Sequence, residues 1–309
     1  SKKIAGGAHS IVLDVKVGRG AFIGTLEEAR ELSELMIRIG RGVGRRVTTV
    51  LSDMSQPLGR MVGNALEARE AVETLRGQGP DDLVEHCLAV AAEMLLLGGK
   101  ATDEAEARTQ LRRLLDGGQP FARMRAWIAA QGGDVRQVDQ PELLARAPVH
   151  MVVRAAQRGT LSQVDARTVG LVAVELGAGR QRKGDPIDPS VGIEVLHKVG
   201  DRVAVGDPLF VVHARTASEA EAAEKALAGG LSLTRHPVQV IQTRYPDAVV
   251  AELENLLTAA EQKNQSFLLQ RARLEFDYLK HTARAANALG RFRTSCAPAE
   301  AQSLFASLA

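Results

Sequence analysis

A chain of 309 residues, 45% hydrophobic and 25% charged, has the make-up of a soluble globular protein with room for two or three domains. Its net charge of +2 leaves no electrostatic footprint for nucleic acid, and no apolar run reaches the roughly 18 residues of a membrane span. Cys87 and Cys296 lie far apart with no metal-ligand or C-x-x-C spacing, so they read as reduced thiols of a cytoplasmic protein.

In chain order, residues 1–7 read as the end of a helix, because Lys2 and Lys3 suit its negative pole and Gly6 and Gly7 suit the left-handed position after it. One turn does not nucleate alone, so the reading expects the earlier turns of a helical domain to be missing before Ser1. Ile11–Val17 alternates, is β-branched and predicts a strand. Thr25 with Glu28 forms a capping box for a helix over about 26–39, whose apolar face carries Leu32, Leu35, Met36 and Ile39. Arg46–Leu51 predicts a second buried strand, and strand–helix–strand within about 40 residues implies a parallel α/β unit. Helices are expected near 61–75, 81–97, 103–115 and 120–131.

Composition shifts near Gln137. Short β-type runs follow at 151–153, 169–174, 193–196 and 209–212, broken by Gly, Pro and Asp, and then an Ala- and Glu-rich helix at 217–228. The expected organisation is therefore 1–7 as the end of a helical domain and 8–136 as an α/β domain. Residues 137–245 would form a β-rich module and 246–309 a helical extension. The fold class is α/β, a central mixed sheet flanked by helices, followed by a small barrel-sandwich-like α+β module.

Ligands of open α/β sheets sit beyond the carboxyl ends of the strands. Gly18-Arg19-Gly20-Ala21 follows the first predicted strand, and 52–59, Ser-Asp-Met-Ser-Gln-Pro-Leu-Gly, follows the second. Alone, either is an ordinary tight turn. Asp14 and Lys16 share one face of the first strand and read as shaping it rather than reacting. The seven histidines, His9, His86, His150, His197, His213, His236 and His281, form no ligand cluster in sequence and read as structural.

Taken together, these segments resemble a known family. Ser1-Lys2-Lys3 with 12–22, 52–59 with 62–67, and 177–180 with 185–188 and 191–192 are similar, in order and spacing, to the pyrimidine-nucleoside and thymidine phosphorylases. The likeness runs to about Tyr245. It implies an enzyme that transfers a pentose from a pyrimidine to phosphate, releasing free base and pentose 1-phosphate from uridine, thymidine or deoxyuridine. It implies that Lys2 contacts the base, while Lys3 stays a solvated helix-end lysine. It further implies a potassium ion held by the backbone carbonyls of Leu58 and Met61 and by the carboxylate of Glu70. Met61 stands where alanine is common in the family; a ligand acting through its carbonyl tolerates that change, and the longer side chain is the feature that could crowd the site. Family members are homodimers through an N-terminal domain mostly absent here, so dimerisation of this chain is not expected. Inorganic phosphate is the co-substrate. The family's phosphate-binding segment, and the potassium ligands and base contacts that go with it, have no counterpart before Lys2. The chain by itself is therefore expected to be inactive.

Two other readings compete. Residues 199–203 and 206–209 resemble a biotinyl or lipoyl domain, but Lys183 sits in Gln-Arg-Lys-Gly-Asp, which is not the flanking pattern of a carrier lysine. The other is a non-catalytic structural protein. For the tail, the leucines of 253–279 suit amphipathic helices docking on their own chain or on a partner.

Overall fold

The structure is a computed structural model that describes residues 2–234. The expected helical extension at 246–309, together with Cys296, His236 and His281, lies outside the described residues.

The elements run α1 (Lys2–Ala5), β1 (Ser10–Val17), α2 (Leu26–Gly42), β2 (Arg46–Asp53), β3 (Met61–Val62), α3 (Asn64–Leu75), α4 (Asp81–Leu97), α5 (Glu104–Asp116), α6 (Gln119–Ala130) and α7 (Arg136–Asp139). They continue with β4 (Val149–Arg154), β5 (Gly159–Val164), α8 (Ala166–Ala173), β6 (Gly192–Val195), β7 (Arg202–Val203), β8 (Pro208–Ala214), α9 (Ala217–Ala228) and β9 (Leu231–Thr234). The chain divides into two compact units. Among the described residues, one comprises 2–54 and 74–124, the other 55–73 and 125–234. Packing thus groups residues 55–73 with 125–234, whereas position along the chain had placed them with the α/β segment 8–136.

In the first unit β1 and β2 pair in parallel, Ile11 opposite Val47 and Val17 opposite Asp53. The crossover is α2, started as expected: Thr25 Oγ1 accepts from Glu28 N, and Glu28 Oε2 accepts from Thr25 N. Alternation along β1 sorts its side chains onto two faces. Leu13, Val15 and Val17 pack with Ala29, Leu26, Leu32 and Met36 of α2. Asp14 and Lys16 point the other way, where α4 brings His86. Helices on both faces are what a parallel pair requires. Leu35 and Ile39 are 45% and 53% exposed, so the buried stripe of α2 is narrower than its apolar stripe.

The second unit holds two antiparallel sheets, of order β3-β6-β8-β4 and β7-β5-β9. Among the described residues the strands therefore form three separate sheets and not one central mixed sheet. The core is built from Val153, Leu161, Val164, Ile193, Val195, Phe210 and Val212 of the strands with Val169, Val172 and Leu227 of the helices. The apolar run 169–174 is helical where a strand was expected. Asp165 caps it by accepting from Thr168 N, and the buried residues Val169, Val172 and Ala173 fall at helical spacing. A short apolar run has no periodicity of its own to separate the two outcomes, and the cap decides. Residues 61–62, expected as the first turn of a helix, instead pair with Glu194 and Ile193 as an edge strand.

Candidate functional site

The first unit presents a polar cluster toward the carboxyl ends of β1 and β2. Asp14 receives three donors. Ser52 Oγ donates to Oδ1 at 2.5 Å, Lys16 Nζ lies 2.8 Å from Oδ2, and His86 Nε2 lies 2.7 Å from the same oxygen. A carboxylate only accepts, so His86 Nε2 must carry the hydrogen in that contact. The 3.0 Å approach of Lys16 Nζ to His86 Nε2 is then a side-by-side contact of two donors on one acceptor. Burial pushes the Asp14 carboxyl upward, but the hydrogen bonds from His86, Lys16 and Ser52 and the Lys16 charge outweigh it. They hold the group well below the usual carboxylate range. Next in the chain, burial pushes the free thiol of Cys87 up, which disfavours its thiolate.

Beyond the strand ends, Gly20 N donates to Met54 O at 2.8 Å and Gly18 N to Ile23 O at 2.9 Å. These bonds tie the glycine turn to the segment that follows β2, and Phe22 stands fully exposed on the turn. Lys2 is an exposed residue of the four-residue helix α1, which closes with Gly6 N donating to Lys2 O at 2.9 Å. Gly7 then takes the left-handed conformation expected after a helix end, with φ of 79°.

The second unit carries the loop that leads into β3. Its backbone is fastened at nearly every step. Ala166 N donates to Ser55 O at 3.1 Å, Val199 N to the buried Gln56 Oε1 at 2.8 Å, and Val195 N to Arg60 O at 2.7 Å. Lys198 Nζ donates to Pro57 O at 2.6 Å and also to Gly59 O. Glu70, 5% exposed on α3, accepts from Arg60 N at 2.7 Å and from Met61 N at 3.4 Å. Between the two carbonyls taken by Lys198 stands that of Leu58, which accepts no hydrogen bond from the described residues.

Three sequence-derived candidates therefore meet in one place. Leu58 and Met61 lie on the loop and Glu70 beside it. Carbonyl and carboxylate oxygens are the ligands a hard monovalent cation takes. These residues fit such an ion. Among the described residues no three His, Cys, Asp or Glu side chains gather as they would for a transition metal.

Lys183 is exposed but stands between α8 and β6, in a turn closed by Arg182 N donating to Asp185 Oδ2 at 2.7 Å. That is not the tip of a β-hairpin, where a carrier domain presents its lysine.

Two residues of these clusters were not singled out from the sequence. His86 passed for one scattered histidine among seven. The available signal was a charged pair, Asp14 and Lys16, on a strand whose other face is apolar, since buried charges require partners. Lys198 gave no such signal, because it lies 141 residues from the carbonyl it holds.

Two family models match the chain. The one described as glycosyl transferase family, a/b domain, covers residues 1–121, and the one described as pyrimidine nucleoside phosphorylase C-terminal domain covers 160–233. Proteins named pyrimidine-nucleoside phosphorylase are similar over much of its length. Those of Staphylococcus haemolyticus (strain JCSC1435) and Bacillus subtilis (strain 168) are each 47% identical, over 213 and 214 residues, which is 69% of this chain and 49% of theirs. That of Staphylococcus aureus (strain bovine RF122 / ET3-1) is 42% identical over 238 residues, 77% of this chain and 55% of its own. The chain spans about half the length of these relatives. With both family models falling in order on the α/β segment and the module after it, the chain belongs to the pyrimidine-nucleoside phosphorylase family.

Proposed function

We propose that the protein to which these residues belong cleaves pyrimidine nucleosides with inorganic phosphate, giving free base and pentose 1-phosphate. The observation that carries the reading is the two family matches falling in order on residues 1–121 and 160–233, and the resemblance implies site roles for Lys2, Leu58, Met61 and Glu70. Uridine, thymidine and deoxyuridine are the substrates proposed, and the assembly proposed for the whole protein is a homodimer.

As the glycosidic bond lengthens, positive charge grows on the sugar and negative charge on the departing base. A cation near a base carbonyl therefore interacts more strongly with the transition state than with the ground state. Lys2 is proposed for that role, its ammonium donating a charge-assisted hydrogen bond to a base oxygen. Leu58 and Met61 through their carbonyls, and Glu70 through its carboxylate, are proposed to hold potassium. When bound, that ion supplies a fixed positive charge that organises the loop entering β3. No described residue is assigned to phosphate, so activity of these 309 residues by themselves is not expected.

The test is release of uracil and thymine from uridine and thymidine with phosphate. It is run on this polypeptide and on a protein that joins it to the N-terminal portion of the Bacillus subtilis relative. Phosphate-dependent base release by the joined protein and not by the polypeptide supports the reading. Base release by neither, with both folded, overturns it.

A further inference from the structure

We infer that Lys198 is a positioning residue for the cation loop: its ammonium gathers the carbonyls of Pro57 and Gly59 and thereby leaves the carbonyl of Leu58 for the potassium ion. The inference rests on the potassium reading given above. It adds a residue from a distant segment that the ligand set does not contain.

The loop at 55–60, leading into β3, is irregular, and a peptide run of this kind does not by itself fix which way each carbonyl points. Something must hold alternate carbonyls aside if a chosen one is to face an ion. Lys198 does so from across the unit, with Nζ donating to Pro57 O at 2.6 Å and to Gly59 O. An ammonium carries three donors and no acceptor, which suits it to collecting carbonyl oxygens. The carbonyl between these two belongs to Leu58, and it accepts nothing from the described residues.

Lys198 is itself well placed to act as a fixed post. Its backbone N donates to Asp201 Oδ2 at 3.0 Å, and Val199 N donates to the buried Gln56 side chain. The loop's other fastenings, Val195 N to Arg60 O and Arg60 N to Glu70 Oε1, do not involve the Lys198 side chain. Removing the ammonium should therefore release two carbonyls without unfolding the unit. Glu70, on α3, brings its carboxylate to the same end of the loop through Arg60 N and Met61 N.

Thermal unfolding of this polypeptide in KCl and in NaCl at equal ionic strength reads the inference without any catalytic assay. An ion that binds only the folded state raises the midpoint by mass action. The expected result is a higher midpoint in potassium than in sodium for the unaltered chain. Lys198→Met, with a similar stem and no charge, should keep its far-ultraviolet circular dichroism and lose that difference. If Lys198→Met retains the full potassium-over-sodium difference, the inference is overturned and the potassium reading stands. If the unaltered chain shows no difference, Leu58, Met61 and Glu70 do not select the ion by themselves and the inference falls. Should Lys198→Met not fold, Lys198→Arg replaces it, since its planar fork cannot collect the same two carbonyls in the same way. A reduced difference then supports the inference and a full one overturns it.

Discussion

His86 Nε2 lies 2.7 Å from Asp14 Oδ2, so a helix residue and a strand residue 72 positions apart are joined through one hydrogen. Ser52 and Lys16 complete the set of donors on that carboxylate. Asp14→Asn puts an amide nitrogen where an acceptor stood, facing donors that then lose their partner. The expected cost is about 1–3 kcal/mol in urea unfolding at neutral pH. The pH dependence has a definite sign. The folded carboxyl titrates well below its ordinary value of 3.8, so its contribution is complete above that value and is lost as pH falls below it. The stability gap between the native chain and Asp14→Asn should be level from pH 7 to 5 and narrow below pH 4. A gap that stays constant to pH 3 contradicts the account.

His213 titrates in the opposite circumstance. Burial, then the charge of His150 opposite it and that of Arg69, push its imidazole down to about 4. The two rings stand 4.5 Å apart across the β4–β8 pair. An unfolded His213 takes a proton near 6.5 while the folded one stays neutral. The stabilisation is therefore full above pH 6.5 and drains away between 6.5 and about 4. Melting temperatures measured across that window should fall less steeply for His213→Gln than for the native chain. Equal slopes would show that another group carries the acid sensitivity.

Core and stripe separate cleanly in size. Phe210 is 1% exposed in the antiparallel core, so Phe210→Ala is expected to cost about 3–5 kcal/mol. Leu35, on the apolar stripe of α2 but 45% exposed, should change stability by no more than about 0.5 kcal/mol when replaced by Ala. Urea midpoints of the two variants check both. A large loss from Leu35→Ala would mean that its exposed face is covered in solution.

The same contrast explains what was legible in the sequence. The parallel pair β1–β2 and its crossover could be read because alternation, the Thr25–Glu28 box and the glycine turns are local signals. Residues 169–174 could not, since six apolar residues fit either period and the deciding bond comes from Asp165 outside the run. Leu58, Met61 and Glu70 were reachable because they lie within thirteen positions of one another and carry a motif. His86 and Lys198 were not, because each meets its partners only after the chain has folded back across 70 or more residues. Chemistry made by long-range closure leaves no spacing to recognise.

Gly59 has φ of +68°, and a β-carbon built on it would lie 2.4 Å from Glu70 Oε2. Gly59→Ala therefore meets both a left-handed backbone and a displaced carboxylate. Backbone strain of that kind costs on the order of 1–3 kcal/mol. The melting temperature should drop accordingly, and any potassium-over-sodium difference should vanish with the Glu70 position. Gly184→Ala is the control, since it has positive φ and open space around it. It should lose a similar amount of stability and keep the potassium response. If both variants keep that response, Glu70 is not a ligand.

Lys2 offers the sharpest test of the base-contact assignment, because little else depends on it. It is exposed, and α1 has only four residues and buries none of them. Lys2→Ala should accordingly leave the melting temperature unchanged. In a protein joined to the N-terminal portion of a relative and shown to release base, the same change should act on catalysis. If the ammonium meets negative charge that grows only as the base departs, kcat falls while KM moves little. Loss of one such preorganised donor is worth about 10²–10³ in kcat. Lys2→Arg keeps the charge but changes its reach and shape, so it should recover only part of the rate. A rise in KM at constant kcat would instead mean that Lys2 holds base and transition state equally well. An unchanged kcat and KM would remove Lys2 from the site altogether.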